Sequence, residues 1–479
     1  MRARRRRGVK VGRPDPGLTP HSGLAAVSEL VEKLGVVEAL DEAIGPIKQR
    51  ARGLTGGELL VGMATAQLAG QDFLVGLDRV RADVAGQELG PVAGPASTTA
   101  AGLARRFTDG QWAAVETGLG AVGERMLALV SDRQRGRLTA RATIDIDATD
   151  VEVYGTKKRG VAYNYQGQRC GRPHVATWAE TETTLAAELM SGDQDPRSHA
   201  TDVLERALAA LPAQVRAVAQ IALRADAGYF AGDLARAAAG HGIAFAIGAK
   251  RIAPLWRLLP GIAADAWTGA IDMAGTDVAV ADYLPADWPP QTRLLIRRTR
   301  LDAEQVSADP RSRRRRTLHP DQRALPLEEL AEAEGIYAYS FILTNHDVSS
   351  PARAAAVEHW YRHRTSIENV FRDSKLGAAL RHLPSGYEQV NTAWMWGALI
   401  AADIAAWLHQ LTATTGTGGV LAGHGTGDGK AMIATLRHRL INVPARLVRH
   451  AGGLVLRLPP GNDLLAEILA RLRALPATS

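Results

Sequence analysis

At 479 residues with a formal net charge of +7, the chain has room for roughly two to four domains and a substantial core. Hydrophobic content of 46% and charged content of 22% exclude a disordered or collagen-like polymer, and a pI near 9.6 favours a polyanionic partner. The single cysteine, Cys170, excludes an intrachain disulfide framework and a cysteine-based zinc site, and fits a reducing cytoplasm.

Residues 1–22 open with the basic run Arg2 to Arg7 and read as a disordered basic tail. No apolar run follows, so no signal peptide is expected. Residues 23–137 carry apolar positions at three- and four-residue spacing, broken near Gly45–Pro46 and Gly90–Pro95, which predicts a helical region. Within it, Ser97-Thr98-Thr99 can cap a helix running through Leu103 and Phe107. That helix displays Arg105 and Arg106 as candidate contacts to a DNA groove.

From about Leu138 the periodicity changes. Arg141 to Tyr154 alternates, with Ile144, Ile146 and Ala148 on one face and Asp145, Asp147 and Thr149 on the other. Further strands are expected around Val161–Gln166 and Thr183–Met190, then a helix over Ser198–Leu211. A strand over Ala219–Ala225 delivers Asp226, followed by a helix at Ala231–Gly240 and a strand at Ile243–Ile247. Three strands, then alternating helix and strand, then a later helix bearing an acid describe an α/β fold with an RNase H-like mixed sheet, over residues 138–252 and 345–382.

Residues 253–344 read as a β-rich insertion with strands at Val278–Tyr283, Leu294–Arg300 and Ile336–Leu343. A solvated loop containing Arg311 and Arg313 to Arg316 is expected between the last two. Residues 383–479 read as a helical C-terminal region with a Gly/Thr-rich linker at Thr412–Gly429. Its apolar stretch from Trp394 to Leu411 is interrupted by Asp403, so it reads as a buried helix and not a membrane span.

Ser350 as N-cap, Pro351 at the first position and Gly377 at the end bound one predicted helix. It carries Tyr361, Arg364, Glu368 and Lys375, spaced three, four and seven residues apart. At about 100° per residue these side chains share one face, within roughly 60°. One carboxylate among two cations and a phenol suits a metal ion and a phosphodiester lying along that face. Two further acids, Asp147 and Asp226, stand at strand ends. Three converging carboxylates repel one another unless cations neutralise them, which invites one or two Mg²⁺ ions.

These motifs resemble the DDE transposases of bacterial insertion sequences, in the branch with a Tyr-Arg-Glu-Lys signature. The resemblance rests on Asp147-Ala148-Thr149, on Asp226-Ala227-Gly228-Tyr229-Phe230 and on Tyr361/Arg364/Glu368/Lys375, and covers roughly Arg141 to Leu380. It implies that Asp147, Asp226 and Glu368 coordinate two Mg²⁺ ions, with Mn²⁺ as a substitute, and that Tyr361, Arg364 and Lys375 hold phosphates. It further implies strand cleavage at element ends, strand transfer, and double-stranded DNA (terminal inverted repeats and target) as partner. A homodimer in the synaptic complex and a nucleoid-associated cytoplasmic location follow from the same likeness. Asp145 shares the strand face of Asp147 and is an alternative first ligand. Two other readings stay open. Asp145-Ile146-Asp147-Ala148-Thr149 also fits the D-x-D-x-T loop of haloacid-dehalogenase-type phosphatases, with Asp145 as nucleophile. The chain could also be a catalytically silent, transposase-derived DNA-binding protein. His174 and His199 read as structural, and Trp256, Trp267 and Trp288 as packing residues.

Overall fold

The computed structural model describes residues 9–50, 52–412 and 430–476. The run Arg2 to Arg7 and the linker beyond Thr412 lie outside these residues. The strands are β1 (Leu18–Thr19), β2 (Arg141–Ala148), β3 (Val151–Glu152), β4 (Ala162–Tyr163), β5 (Arg169–Trp178), β6 (Thr183–Ser191) and β7 (Gln220–Ala225). After them come β8 (Ala244–Ala249), β9 (Thr268–Gly269), β10 (Thr276–Ala281), β11 (Arg293–Leu301), β12 (Ile336–Thr344), β13 (Ala445–His450) and β14 (Gly453–Arg457).

One mixed sheet of 11 strands forms the centre. In it β6, β5 and β2 run antiparallel, while β7 pairs parallel with β2 and β8 parallel with β7. That order is RNase H-like. Parallel pairing puts the C-terminal ends of β2 and β7 side by side, with Ile146 opposite Ala225, so Asp147 and Asp226 leave the sheet at the same edge. β5 was not expected from the sequence. Pro173 and Gly171 interrupt its run, and both residue types argue against a central strand. Its burial between β2 and β6 overrides that local preference.

The strands assigned to an insertion extend this same sheet. β12 pairs antiparallel with β8, β11 with β12, β10 with β11 and β9 with β10. The arginine-rich loop differs from expectation: it folds into short helices at Arg313–Arg316, Pro320–Ala324 and Leu327–Ala331. Leu301, Val306, Leu318, Leu330 and Ile336 make a small core beneath it. Arg315 is buried there, donating to the Leu325 carbonyl. Apolar residues on both flanks of the arginine run supply what a solvated loop would lack.

Two terminal expectations are also corrected. Leu18 and Thr19, placed in the tail, pair with Arg446 and Ala445. The C-terminal region contains the hairpin β13–β14 as well as helices. The helix at Ser97–Ala104 is preceded by Ala96 at its N-cap, because the Ser97 hydroxyl is taken by Asp78, 2.5 Å away.

The core runs unbroken from Leu24 to Leu472, through the N-terminal helices, the sheet and the C-terminal helix Glu388–Thr412. From Val390 to Leu408 that helix is apolar on nearly every side, as suits a helix packed all round. Trp394, Trp396 and Trp407 are fully buried. Asp403 is buried with them and accepts from the Thr184 amide at 2.8 Å and hydroxyl at 3.1 Å, tying the helix to β6. Burial pushes its carboxyl up to about 7. Among the described residues, no helix is long and apolar enough to cross a membrane. Trp396→Ala is expected to cost about 3–5 kcal/mol of stability; urea unfolding followed by circular dichroism would show a midpoint shift, and an unchanged midpoint would refute the core assignment.

Candidate active site

Asp147 and Asp226 line one cleft of about 810 Å³ at the C-terminal edge of β2 and β7. Asp147 accepts from the Ala148 amide at 2.8 Å and from the Arg364 guanidinium at 3.0 Å. Burial, reinforced by the neighbouring charge of Asp226, pushes its carboxyl up to about 6 against the pull of Arg364. Asp226 accepts from the Gly228 amide at 2.7 Å. The φ of Gly228 is not positive, so the position does not need glycine for its backbone conformation. A side chain there would put a carbon 2.7 Å from the Asp226 carboxylate, so the glycine makes room for the acid.

The predicted single helix is two. Helix Pro351–Arg362, capped by Ser350, ends at His363, and helix Thr365–Leu376 begins after Arg364. A continuous helix would give the Trp360 carbonyl to the Arg364 amide. Here Arg224 donates to that carbonyl at 2.6 Å, and the Arg364 amide bonds the Tyr361 carbonyl at 3.0 Å in a tight turn. All four signature residues still meet at the same sheet edge. Tyr361 donates its hydroxyl to the Ala225 carbonyl at 3.1 Å, immediately before Asp226, and burial pushes the phenol up to about 12. Gly248 on β8 allows this approach: a β-carbon there would lie 2.7 Å from the Tyr361 hydroxyl and 2.7 Å from the Ala227 amide.

Arg364 bridges two acids, donating to Asp147 at 3.0 Å and to Glu368 at 3.1 Å. Burial opposes its charge, but Asp147, Tyr361, Asp226 and Glu368 hold its ionisation above the ordinary range. Glu368 is about half exposed, with 56% of its side chain accessible. Lys375 donates to the Thr149 hydroxyl at 2.6 Å and the Asp150 carbonyl at 2.8 Å, and burial lowers its ionisation. The expected phosphate-holding groups are thus engaged inside the protein, on the strand ends that carry the acids.

Asp145 sits elsewhere. It is fully buried and accepts from Nε and Nη2 of Arg224, at 2.6 and 2.8 Å, and from the Ser366 hydroxyl at 2.7 Å. Burial raises its carboxyl and Arg224 opposes that rise. A residue so enclosed reaches neither a metal nor a phosphate ester, which removes the basis for Asp145 as first ligand and as a phosphatase nucleophile. Arg224 was missed in the sequence. Its signal is a cation within the apolar run Ile221 to Ala225, in direct register with Asp145. The guanidinium also lies over the Trp360 ring, 5.2 Å from its centroid.

Other marked residues fall away from the cleft. Arg105 lies over the Tyr387 ring at 4.8 Å, whereas Arg106 lines a hollow of about 690 Å³ with Lys48, Arg50 and Arg52. His174 and His199 converge on Glu188 at 3.0 and 3.1 Å, a pairing that the sequence did not suggest. Trp256 and Trp288 are buried in the core, and Trp267 packs under Arg298 at 4.0 Å.

Among the described residues, no group of three or more His, Cys, Asp or Glu stands close enough to hold a metal ion. The donor chemistry nevertheless suits a hard dication: two carboxylates line one cleft, Asp147 raised by burial and then by the charge of Asp226, and Glu368 is joined to Asp147 through Arg364.

The sequence matches the family described as Transposase DDE domain, group 1, over residues 2–309 and 327–477. A cryo-EM structure of a piggyBac transposase synaptic complex with hairpin DNA is similar at 9% identity, covering 81% of this chain and 76% of that one, with a TM-score of 0.35. No curated protein matches.

Two outcomes test this geometry. Arg224→Met is expected to cost about 3–5 kcal/mol by leaving Asp145 buried and unpaired, and Asp145→Leu in the same chain to restore most of it. Equal losses in denaturant unfolding for single and double variants would refute the pairing. The second concerns pH in the metal-free protein. Asp147 binds its proton more tightly folded than unfolded, so its contribution to stability falls as pH rises from about 4 to about 6. Asp147→Asn should flatten that decline, read from melting temperatures across the window.

Proposed function

Given that the chain belongs to the DDE-domain transposase family, group 1, and is a DNA transposase, we propose that it hydrolyses DNA at the ends of an insertion sequence and joins the freed 3′-hydroxyl to target DNA. The observation that carries this reading is the pair Asp147 and Asp226 at the ends of adjacent parallel strands, with Glu368 joined to Asp147 through Arg364. Transposases of this family use divalent metal ions. In this reading Asp147, Asp226 and Glu368 hold two Mg²⁺ ions, which would neutralise phosphodiester charge and activate the attacking oxygen.

The chain's own groups divide the remaining work. Tyr361 fixes the strand end that presents Asp226. Lys375 orders the loop at Thr149 and Asp150, which follows Asp147. Arg364 shields the acids from one another, and its planar fork can pass to a phosphate when DNA enters, since guanidinium pairs with either anion in the same geometry. With Glu368, these three residues support the reading that the protein is of the Tyr-Arg-Glu-Lys branch. The hollow of Lys48, Arg50, Arg52 and Arg106 is the proposed seat for the backbone of the terminal repeat. Synapsis by a homodimer is part of the same proposal.

Glu368→Gln is expected to lower cleavage of a labelled duplex bearing the gene's flanking ends by about a hundredfold or more while sparing DNA binding. Cleavage at the wild-type rate would sink the triad. Binding without Mg²⁺-dependent cleavage by the unaltered protein would instead favour a DNA-binding regulator. Arg52→Ala with Arg106→Ala should weaken binding to all duplexes alike and reduce the slope of log affinity on log salt by about 2. An unchanged slope, measured by fluorescence anisotropy, would place the DNA elsewhere.

A further inference from the structure

Family likeness assigns a phosphate-holding phenol to Tyr361, but that hydroxyl donates to the Ala225 carbonyl at 3.1 Å and serves the strand end. A second phenol stands at the same edge of the sheet. Tyr229 closes the short turn Ala227–Tyr229 that follows Asp226, with its amide on the Asp226 carbonyl at 3.1 Å. It lines the cleft together with Asp147 and Asp226. The residue is buried, at 2% exposure, and its hydroxyl has no hydrogen-bond partner among the described residues.

The ring is held from behind. His174 on β5 stacks against it, with ring centroids 5.7 Å apart and planes 26° from parallel. His174 is itself fully buried and tied to Glu188 at 3.0 Å, a carboxylate that also takes His199 at 3.1 Å and Arg206 at 3.4 Å. A phenol braced in this way has little freedom to swing toward another acceptor. The neighbouring carboxylates accept from other donors: Asp147 from Ala148 and Arg364, and Asp226 from Gly228. Burial, and after it the charges of Asp147 and Asp226, raise the phenol well above its ordinary range, so it stays a donor. A buried donor without an acceptor lowers stability and is rare in native proteins, which points to a partner supplied from outside the chain.

We propose that the Tyr229 hydroxyl donates to a non-bridging oxygen of the phosphodiester that Asp147 and Asp226 engage, the bond forming as DNA fills the cleft. This rests on the transposase reading above and moves the phenol's role from Tyr361 to Tyr229. A neutral donor suits the place. It meets charge that grows on the phosphate oxygens during displacement, without adding a cation that the two acids would capture. Its acceptor arrives with the substrate, so the bond is made in the bound state and not in the free protein. Tyr361 holds the strand that carries Asp226, and Tyr229 touches what Asp226 acts on.

Two phenylalanine variants of the full chain separate the roles, because each removes one hydroxyl and keeps the ring. Without DNA, Tyr229→Phe is expected to melt at or slightly above the wild-type temperature, since it deletes a donor that bonds nothing. Tyr361→Phe is expected to melt measurably lower, since it frees the Ala225 carbonyl. With Mg²⁺ and a labelled duplex bearing the gene's flanking end, Tyr229→Phe should slow single-turnover cleavage by about ten- to a hundredfold. Binding of the same duplex in Ca²⁺, read by fluorescence anisotropy, should change much less, because the bond strengthens as charge develops. A Tyr229→Phe chain that melts well below wild type would show the hydroxyl bonded in the free protein. One that cleaves at the wild-type rate would show it idle. Either result overturns the assignment while wild-type cleavage keeps the transposase reading intact. A wild-type chain that neither binds nor cleaves the duplex would fell that reading itself, and this assignment with it.

Discussion

A guanidinium in the middle of an apolar sheet must find a carboxylate, and in this protein that requirement decides where the reactive groups stand. Arg224 on β7 meets Asp145 on β2 in register, which fixes the parallel pairing of the two strands to the residue. The same guanidinium takes the Trp360 carbonyl, and Asp145 takes the Ser366 hydroxyl. One buried pair thus grips both sides of the break between the two signature helices. Such pairs contribute little net stability because desolvation offsets attraction, but they punish every misregistered alternative.

From that clasp the site follows. With β2 and β7 in register, Asp147 and Asp226 emerge together, and burial followed by the charge of Asp226 raises the Asp147 carboxyl. The helix break turns Arg364 toward both Asp147 and Glu368, so the chain supplies its own counter-ion. Tyr361 and Lys375 then tie the two strand ends by their carbonyls and hydroxyl, not by their charges. A site assembled this way holds carboxylates under mutual repulsion, balanced by a guanidinium that a phosphodiester can compete for. The small residues nearby have matching reasons: Gly228 clears space for Asp226, and Gly248 for Tyr361.

The remainder of the molecule supports this edge of the sheet. The N-terminal helices and helix Glu388–Thr412 share its core, so the regions distinguished by sequence texture are energetically continuous. β9 to β12 lengthen the sheet beyond β8, which gives the chain a broad surface flanking the cleft.

By itself the sequence determined the elements whose patterns are local. The alternation of Ile144 and Ile146, the apolar strand before Asp226, the Ser350-Pro351 cap and the largely apolar helix around Trp396 all depend on neighbours a few residues away. Its motifs at Asp147, at Asp226 and at Tyr361, Arg364, Glu368 and Lys375 also carried the resemblance to DDE transposases, the family that the whole-chain match shows. Tertiary structure alone decided which of two acids two residues apart faces the cleft. Alternation places Asp145 and Asp147 on one strand face, and only the arrival of Arg224 from another strand makes one structural. It likewise decided that β5 is a strand despite Pro173, that β1 pairs with β13 across more than four hundred residues, and that the signature helix breaks at Arg364. Each of these depends on a partner distant in the chain, and local spacing carries no record of it.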